Sequence, residues 1–332
     1  MSLQRLKSFI KFEGELSFEQ YYGSDCNPPI LVYKTQDHQK IPIYVLKQEA
    51  DPNAAQKRLH ALDEVKSLGF DQLPLILKDL YGNYTLQLGE RFFSCLEFIP
   101  SDPIQTHSLE NLLQFTSTFH GYSRSYSRAE ELRGNLAEKY ANQTYMEELD
   151  PLHTQSHPFI FQTEEWKICA HCSQYFNSSS FRKIFDSLPT QVIHGDLSPF
   201  NVIVSKGKQF LIDFDTLNTD VRILDFSVFL GWSYLDDFLT LVETDKLNSY
   251  IHMYYGDLEE IEYEHLPLIV LFCRCCVIHW SLQEIKQALQ NKDSSKQQQF
   301  VRILESTIIE INKIYTRLPQ VKEIIDSSVV VA

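Results

Sequence analysis

Three carboxylates and an amide stand close together past the middle of the chain. The sequence reads VIHGDLSPFNVIV from Val192 to Val204, and FLIDFD follows from Phe210 to Asp215. Asp196 and Asn201 are five residues apart, Asp213 lies twelve beyond Asn201, and Asp215 two further on. Any one of these alone reads as a turn former, because Asp and Asn side chains bond readily to nearby backbone. Together they also fit metal-assisted phosphoryl transfer. That chemistry needs hard oxygen ligands for Mg2+, a carboxylate to orient the incoming hydroxyl and accept its proton, and a lysine on the remaining phosphates.

Such groups need rigid anchors, and the flanking runs supply them. ILVYKT (30–35) and IPIYVLKQE (41–49) are β-branched and aromatic runs joined by a polar turn, which predicts an antiparallel hairpin. Asp51-Pro52 then marks a helix start, with Asp as N-cap and Pro in the first turn. Leu59, Leu62 and Val65 share one face of that helix, which ends near Gly69. LPLILKDLYGNYTLQL reads as two strands about Gly82-Asn83, and RFFSCLEFIP as one more. After about residue 108 the pattern turns helical, with Ser108 opening a helix and further helical stretches at 128–150, 163–187 and from Asp225 onward. The expected fold class is α+β: a small antiparallel sheet with one helix over residues 1–99, a hinge around 96–101, and a larger helical part over 100–332 with a β-hairpin at its centre.

Composition narrows the partners. A net charge of −14 over 332 residues argues against a nucleic-acid backbone, which is bound by Lys and Arg displacing counterions. No apolar stretch reaches the roughly 20 residues of a membrane span. The nearest, LPLIVLFCRCCVIHW, is interrupted by Arg274 and His279. MSLQRLKSFIKF has no signal-peptide pattern, so the expected location is cytoplasmic. Seven scattered cysteines do not suggest a disulfide framework. Cys169 and Cys172 in CAHC lack the second ligand pair that a closed zinc site requires.

HGDLSPFN, IDFD, the hairpin ending in YVLK, the LEF hinge, the FTSTFHG helix and ILDFSVF together resemble the aminoglycoside phosphotransferase family. Its choline, homoserine and fructosamine kinase relatives and spore-coat CotS-like members share the pattern. The resemblance implies a bilobal protein-kinase-like fold and an ATP- and Mg2+-dependent small-molecule kinase, with GTP not distinguished from ATP. It implies Asp196 as the base, Asn201 and Asp213 as Mg2+ ligands, and Lys47 on the nucleotide phosphates. Glu97 and Ile99 of the hinge and Ser24 of YYGSDCNPP are assigned to the nucleotide. His194 and Asp225 brace the catalytic loop, Asp225 also capping the following helix, and Asp215 supports the turn or a second metal.

The sequence departs from protein kinases in two ways. Only eleven residues lie between Asp213 and Asp225, too few for a peptide-docking activation segment, and Gly195 stands where an arginine would read an activating phosphate. The acceptor is therefore read as a small molecule. Trp232, Tyr234, Asp236 and Asp237 offer rings and carboxylates to an ammonium-bearing alcohol or amino sugar. The nucleotide loop has no Gly-rich motif, and the acidic partner of Lys47 is open, with Asp63 and Glu64 as helix candidates. The acidic run 257–265 reads as a solvated face or part of a cation site. The alternatives are a kinase-shaped protein without catalysis, as in some coat-associated relatives, and transfer of AMP by the same fold. Oligomeric state is not written in the sequence.

Overall fold

The computed structural model describes residues 16–20, 29–36, 39–79, 81–103, 107–134, 163–256 and 258–329. The chain forms two compact units: 1–108, 118–133 and 199–219 in the first, and 109–117, 134–198 and 220–332 in the second. This division draws two later segments of the chain into the first unit.

In the first unit β1 (Leu16–Gln20), β2 (Ile30–Gln36), β3 (Gln39–Glu49), β4 (Thr85–Leu88) and β5 (Arg91–Glu97) form one antiparallel sheet in the order β1-β2-β3-β5-β4. Strand alternation gives the sheet two faces with different tasks. Leu46, Phe93 and Cys95 point to one face and join Leu16 and Val32 in a buried core. Val45, Lys47 and Ser94 belong to the other face. Helix α1 (Pro52–Ser67) starts as expected, Asp51 accepting from the N–H groups of Asn53 and Ala54 at 2.9 and 3.1 Å. Its Leu59, Leu62 and Val65 are buried.

The expected strand before Gly82 does not form. Ile76 makes a single bridge to Leu96, and Pro74, which has no N–H, cannot extend the ladder. Asp79 instead closes a loop, accepting from the N–H groups of Tyr81 and Asn83 at 2.8 Å each. Helix α2 runs Leu109–Ser123, and a short 3-10 turn, Ala129–Leu132, stands where a longer helix was expected. The rest of that expected helix lies outside the described residues.

The second unit holds α3 (Glu164–Phe176), α4 (Ser179–Ser187), β6 (Thr190–Ile193), α5 (Leu224–Trp232), α6 (Leu235–Glu243), α7 (Leu247–Tyr254), α8 (Glu260–Asn291), α9 (Ser294–Arg317) and α10 (Pro319–Val329). Phe176 and Phe181 pack edge to face at 4.8 Å, and Phe272 lies 4.9 Å from Phe181, tying α3, α4 and α8 together. Helix α8 is long and apolar enough to cross a membrane, yet 83% of its most apolar stretch is buried within the protein. Its first turn explains much of the acidic run. Glu259 and Glu262 form a capping box, and Glu262 is also paired with both Nε and Nη2 of Arg222. Asp257 lies outside the described residues.

Cys169 and Cys172 sit buried on α3, where loss of hydration pushes both thiols up, Cys172 to about 12. His171 between them bonds to Asp326 at 3.0 Å.

Candidate active site

The acidic segment of the first unit is positioned by a two-stranded ladder. β7 (Val202–Ser205) pairs with β8 (Lys208–Leu211), joined by Lys206 and Gly207, both at positive φ. Two successive left-handed residues suit a tight hairpin turn, and the glycine makes the second of them easy. Asp102 accepts from the N–H groups of Lys206 and Gly207 at 3.0 and 3.1 Å, fixing the turn from outside.

At the other end Val202 faces Leu211, so one further step brings Asn201 opposite Ile212. The Ile212 N–H donates to the Asn201 carbonyl at 2.9 Å. Asp213 comes next, beyond the strand rather than on it. Its φ of 60° is left-handed, a conformation that Asp tolerates better than most residues and that ends the strand. The turn aims two carboxylates at one point. Lys47 Nζ lies 2.6 Å from Asp213 Oδ1 and 2.8 Å from Asp215 Oδ2. Burial alone would lower the Lys47 ammonium below its ordinary value, but the two aspartate charges outweigh it and the net shift is upward. The group stays cationic at neutral pH.

A cavity of about 260 Å³ adjoins this cluster within the first unit. Val45 and Leu96 from the sheet and Ile203 and Ile212 from the hairpin give it apolar walls, while Lys47, Asp213 and Asp215 make one side charged. Glu97, Phe98 and Ile99 also line it. Phe98 N–H donates to the Ile43 carbonyl at 2.9 Å, so by ladder alternation the Glu97 carbonyl and Ile99 N–H face away from β3. The Leu75 N–H bonds to the Glu97 carboxylate at 2.9 Å. Such a slot can hold a flat apolar ring against backbone polar groups and present a charged cluster to its polar extension.

Asp196 belongs to the second unit. The loop after β6 is held by Asp225, which is fully buried in the first turn of α5. Its Oδ2 accepts from His194 N–H at 2.9 Å and its Oδ1 from Gly195 N–H at 2.7 Å. Gly195 at φ 81° lets two successive N–H groups turn toward one carboxylate. His194 is also fully buried, and its Nδ1 accepts from Asp196 N–H at 3.3 Å. The Asp196 side chain is exposed, while Leu197 beside it is buried. The result is an exposed carboxylate on a fixed backbone. The cap position of α5 is Ile223, so Asp225 lies two residues past it, within the first turn rather than at the cap expected for it.

The other sequence candidates fall in several places. Trp232 is partly exposed, with the Arg274 guanidinium 5.2 Å from its ring centre. Tyr234 is half-buried and packs edge to face on Phe229 at 6.4 Å. Asp236 is exposed and ion-paired with Lys313 at 3.3 Å, and Asp237 is exposed beside it. Ser24 lies outside the described residues. Asp63 pairs with Lys78 at 2.6 Å, and Glu64 accepts from the Ser127 N–H and hydroxyl at 3.2 and 3.1 Å. Neither is the carboxylate that Lys47 meets. Sequence reasoning missed Glu49, Arg58 and Ser94, which line the same cavity; the alternation from Lys47 to Glu49 along β3 was the available signal.

The sequence model of the family described as "APH: Phosphotransferase enzyme family" matches residues 32–261. No curated protein matches the chain. Among solved structures, a spectinomycin phosphotransferase in complex with ADP and spectinomycin is 16% identical, with a TM-score of 0.61 over 96% of this chain and 99% of that one. An amicoumacin kinase in complex with AMP-PNP, Ca2+ and Ami is 12% identical, with a TM-score of 0.60 over 93% and 94%. A choline/ethanolamine kinase family protein from Mesorhizobium loti is 10% identical, with a TM-score of 0.60 over 97% of each chain. At these identities the likeness is one of fold, and the fold is that of protein-kinase-like phosphotransferases.

Proposed function

The chain belongs to the phosphotransferase enzyme (APH) family, and from that premise we propose that it is a kinase that moves the γ-phosphate of ATP to a hydroxyl of a small molecule. The observation that carries this reading is the convergence of Asp213 and Asp215 on the Lys47 ammonium beside an apolar slot. The slot takes the purine, with the Glu97 carbonyl and Ile99 N–H as its polar partners. Lys47 binds the phosphates, and residues 1–99 act as the nucleotide-binding lobe. Complexes of the neighbours with ADP and AMP-PNP support a nucleotide of this class.

Asp213 and Asn201 fit Mg2+. The carboxylates of Asp213 and Asp215 already meet one cation here, Asn201 is tied beside Asp213 through the Ile212 N–H, and Mg2+ takes hard oxygen ligands from one or two carboxylates, with phosphate and water completing the set. Among the described residues no group of three His, Cys, Asp or Glu side chains could hold a metal without ligands from elsewhere. When bound, the ion neutralises charge on the phosphates and sets their orientation.

Residues 100–332 supply the rest. Asp196 orients the acceptor hydroxyl and takes its proton as the oxygen attacks phosphorus. The bracing by Asp225 and His194 keeps that carboxylate in one place, which is how positioning lowers the barrier. Family and neighbours point to an amino alcohol or amino sugar as the acceptor, with Trp232, Tyr234 and Asp237 as its contacts. Asp236 joins them only by giving up Lys313.

The test is ADP release with Mg2+ and ATP across a panel of amino alcohols, aminoglycosides and neutral sugars. Acceptor-dependent release with at least one aminated alcohol is the expected result. Binding of nucleotide with no acceptor turned over by any panel member would favour a non-catalytic kinase-shaped protein. Turnover confined to neutral sugars would sink the cationic-acceptor part alone.

A further inference from the structure

The cavity holds a second charged pair with no assigned role. Glu49 is buried, and its Oε2 accepts from Arg58 Nη2 at 3.0 Å. Its Oε1 accepts from the hydroxyl of Ser94. Glu49 and Ser94 are not opposite one another in the sheet. The partner of Glu49 across the ladder is Phe92, whereas Ser94 faces Lys47. The Glu49 carboxylate therefore leans back along β3 until it lies over the rung that carries Lys47. The two residues also alternate onto the same face, about 7 Å apart along the strand, well within the reach of both side chains.

Helix α1 makes the arrangement unusual. In kinases at large a helix glutamate pairs with the strand lysine. Here α1 presents Arg58 to the cavity, and its acids Asp63 and Glu64 are engaged by Lys78 and Ser127. Strand and helix are still joined by an ion pair, but the acid is on the strand and the base on the helix.

We infer that Glu49 is the acidic residue that positions Lys47 once the nucleotide is bound, and that Arg58 is the helix anchor that holds Glu49 in place. This rests on the kinase reading given above. Were Asp213 to hold Mg2+, Lys47 would lose one of its two aspartate partners and be left to bind the phosphates. Glu49 is then the carboxylate stationed at its rung, held on one oxygen by Arg58 and on the other by Ser94. Both are positioning residues, acting through Lys47.

A double-mutant cycle between Glu49 and Lys47 tests this, read by calorimetric titration with Mg2+ and AMP-PNP. Glu49→Gln should weaken binding at least about fivefold in the otherwise unaltered protein and less than about twofold in a Lys47→Met background, as coupled neighbours do. Equal losses in both backgrounds would overturn the inference. A buried ion pair also holds structure, so Glu49→Leu/Arg58→Leu serves as the second variant, because apolar replacement of both partners tends to restore stability. The inference expects this protein to melt near the parent temperature and still bind the nucleotide several-fold more weakly. Restored binding along with restored stability would reduce the pair to a scaffold. Failure of the unsubstituted protein to bind would overturn the kinase reading itself, whereas binding with uncoupled losses overturns only the role of Glu49.

Discussion

Asp225 and Asp213 carry the same carboxylate in opposite settings. Asp225 is fully buried and accepts two consecutive backbone N–H groups. Nothing about it is exchangeable, since removing either partner would strand a buried charge. Asp213 has about half its side chain exposed, sits at positive φ and meets a lysine ammonium. An exposed ion pair contributes little to folding, so its partner can be replaced by a ligand at small cost. The contrast separates a carboxylate that fixes a loop from one that is available for chemistry. Asp196 combines the two, with an exposed side chain on a loop that Asp225 holds still.

The largest effect that this contrast predicts is on catalysis. Asp196→Asn should lower turnover by about 10²–10⁴-fold, the range for losing a general base. Its melting temperature should stay near the parent value, because the side chain is exposed. A fall in both would place Asp196 with the structural carboxylates. Next comes Asp225→Ala, which leaves two loop N–H groups without their charged acceptor and should cost about 3–5 kcal/mol by denaturant titration. A cost under about 1 kcal/mol would erase the difference between the two aspartates. Asp213→Ala should change stability by no more than about 1 kcal/mol on the same titration.

Smaller still is a pH effect in the second unit. Asp326 is held down at about 2, first by Lys322 and then by Tyr315, with a smaller part from His171, against an upward push from burial. Its folded value lies below the unfolded one of about 3.9. Its contribution is therefore complete above pH 4 and lost as pH falls toward 2. Asp326→Asn should flatten the acid limb of the stability curve over that window and leave the neutral region little changed. An unaltered acid limb would show the network to be inert.

Much of this contrast was legible in the sequence. Asp51-Pro52 wrote the start of α1, the alternation in IPIYVLK wrote β3, and the spacing of Asp196, Asn201 and Asp213 pointed to phosphoryl transfer. What could not be read depended on partners far along the chain. The left-handed turn at Asp213 suits an aspartate, but its meeting with Lys47, 166 residues earlier in the chain, is a matter of the fold. The run 72–79 has strand composition, but Pro74 and the Asp79 loop confine it to one bridge. The acids at 259 and 262 looked like surface charge, yet one is buried against Arg222. Glu49 and Arg58 are ordinary residues in a strand and a helix, and only the Ser94 hydrogen bond, set against the ladder register, brings Glu49 to the Lys47 rung.

The central claim is that Asp213 exchanges Lys47 for a nucleotide-bound Mg2+. It is tested most directly by calorimetric titration of AMP-PNP into the unsubstituted protein and Asp213→Ala, each with and without Mg2+. The account predicts that Mg2+ tightens binding to the unsubstituted protein at least about tenfold and that Asp213→Ala loses this gain, as removal of a metal-binding group does. Binding that ignores Mg2+ in the unsubstituted protein, or a gain that survives in Asp213→Ala, would contradict it.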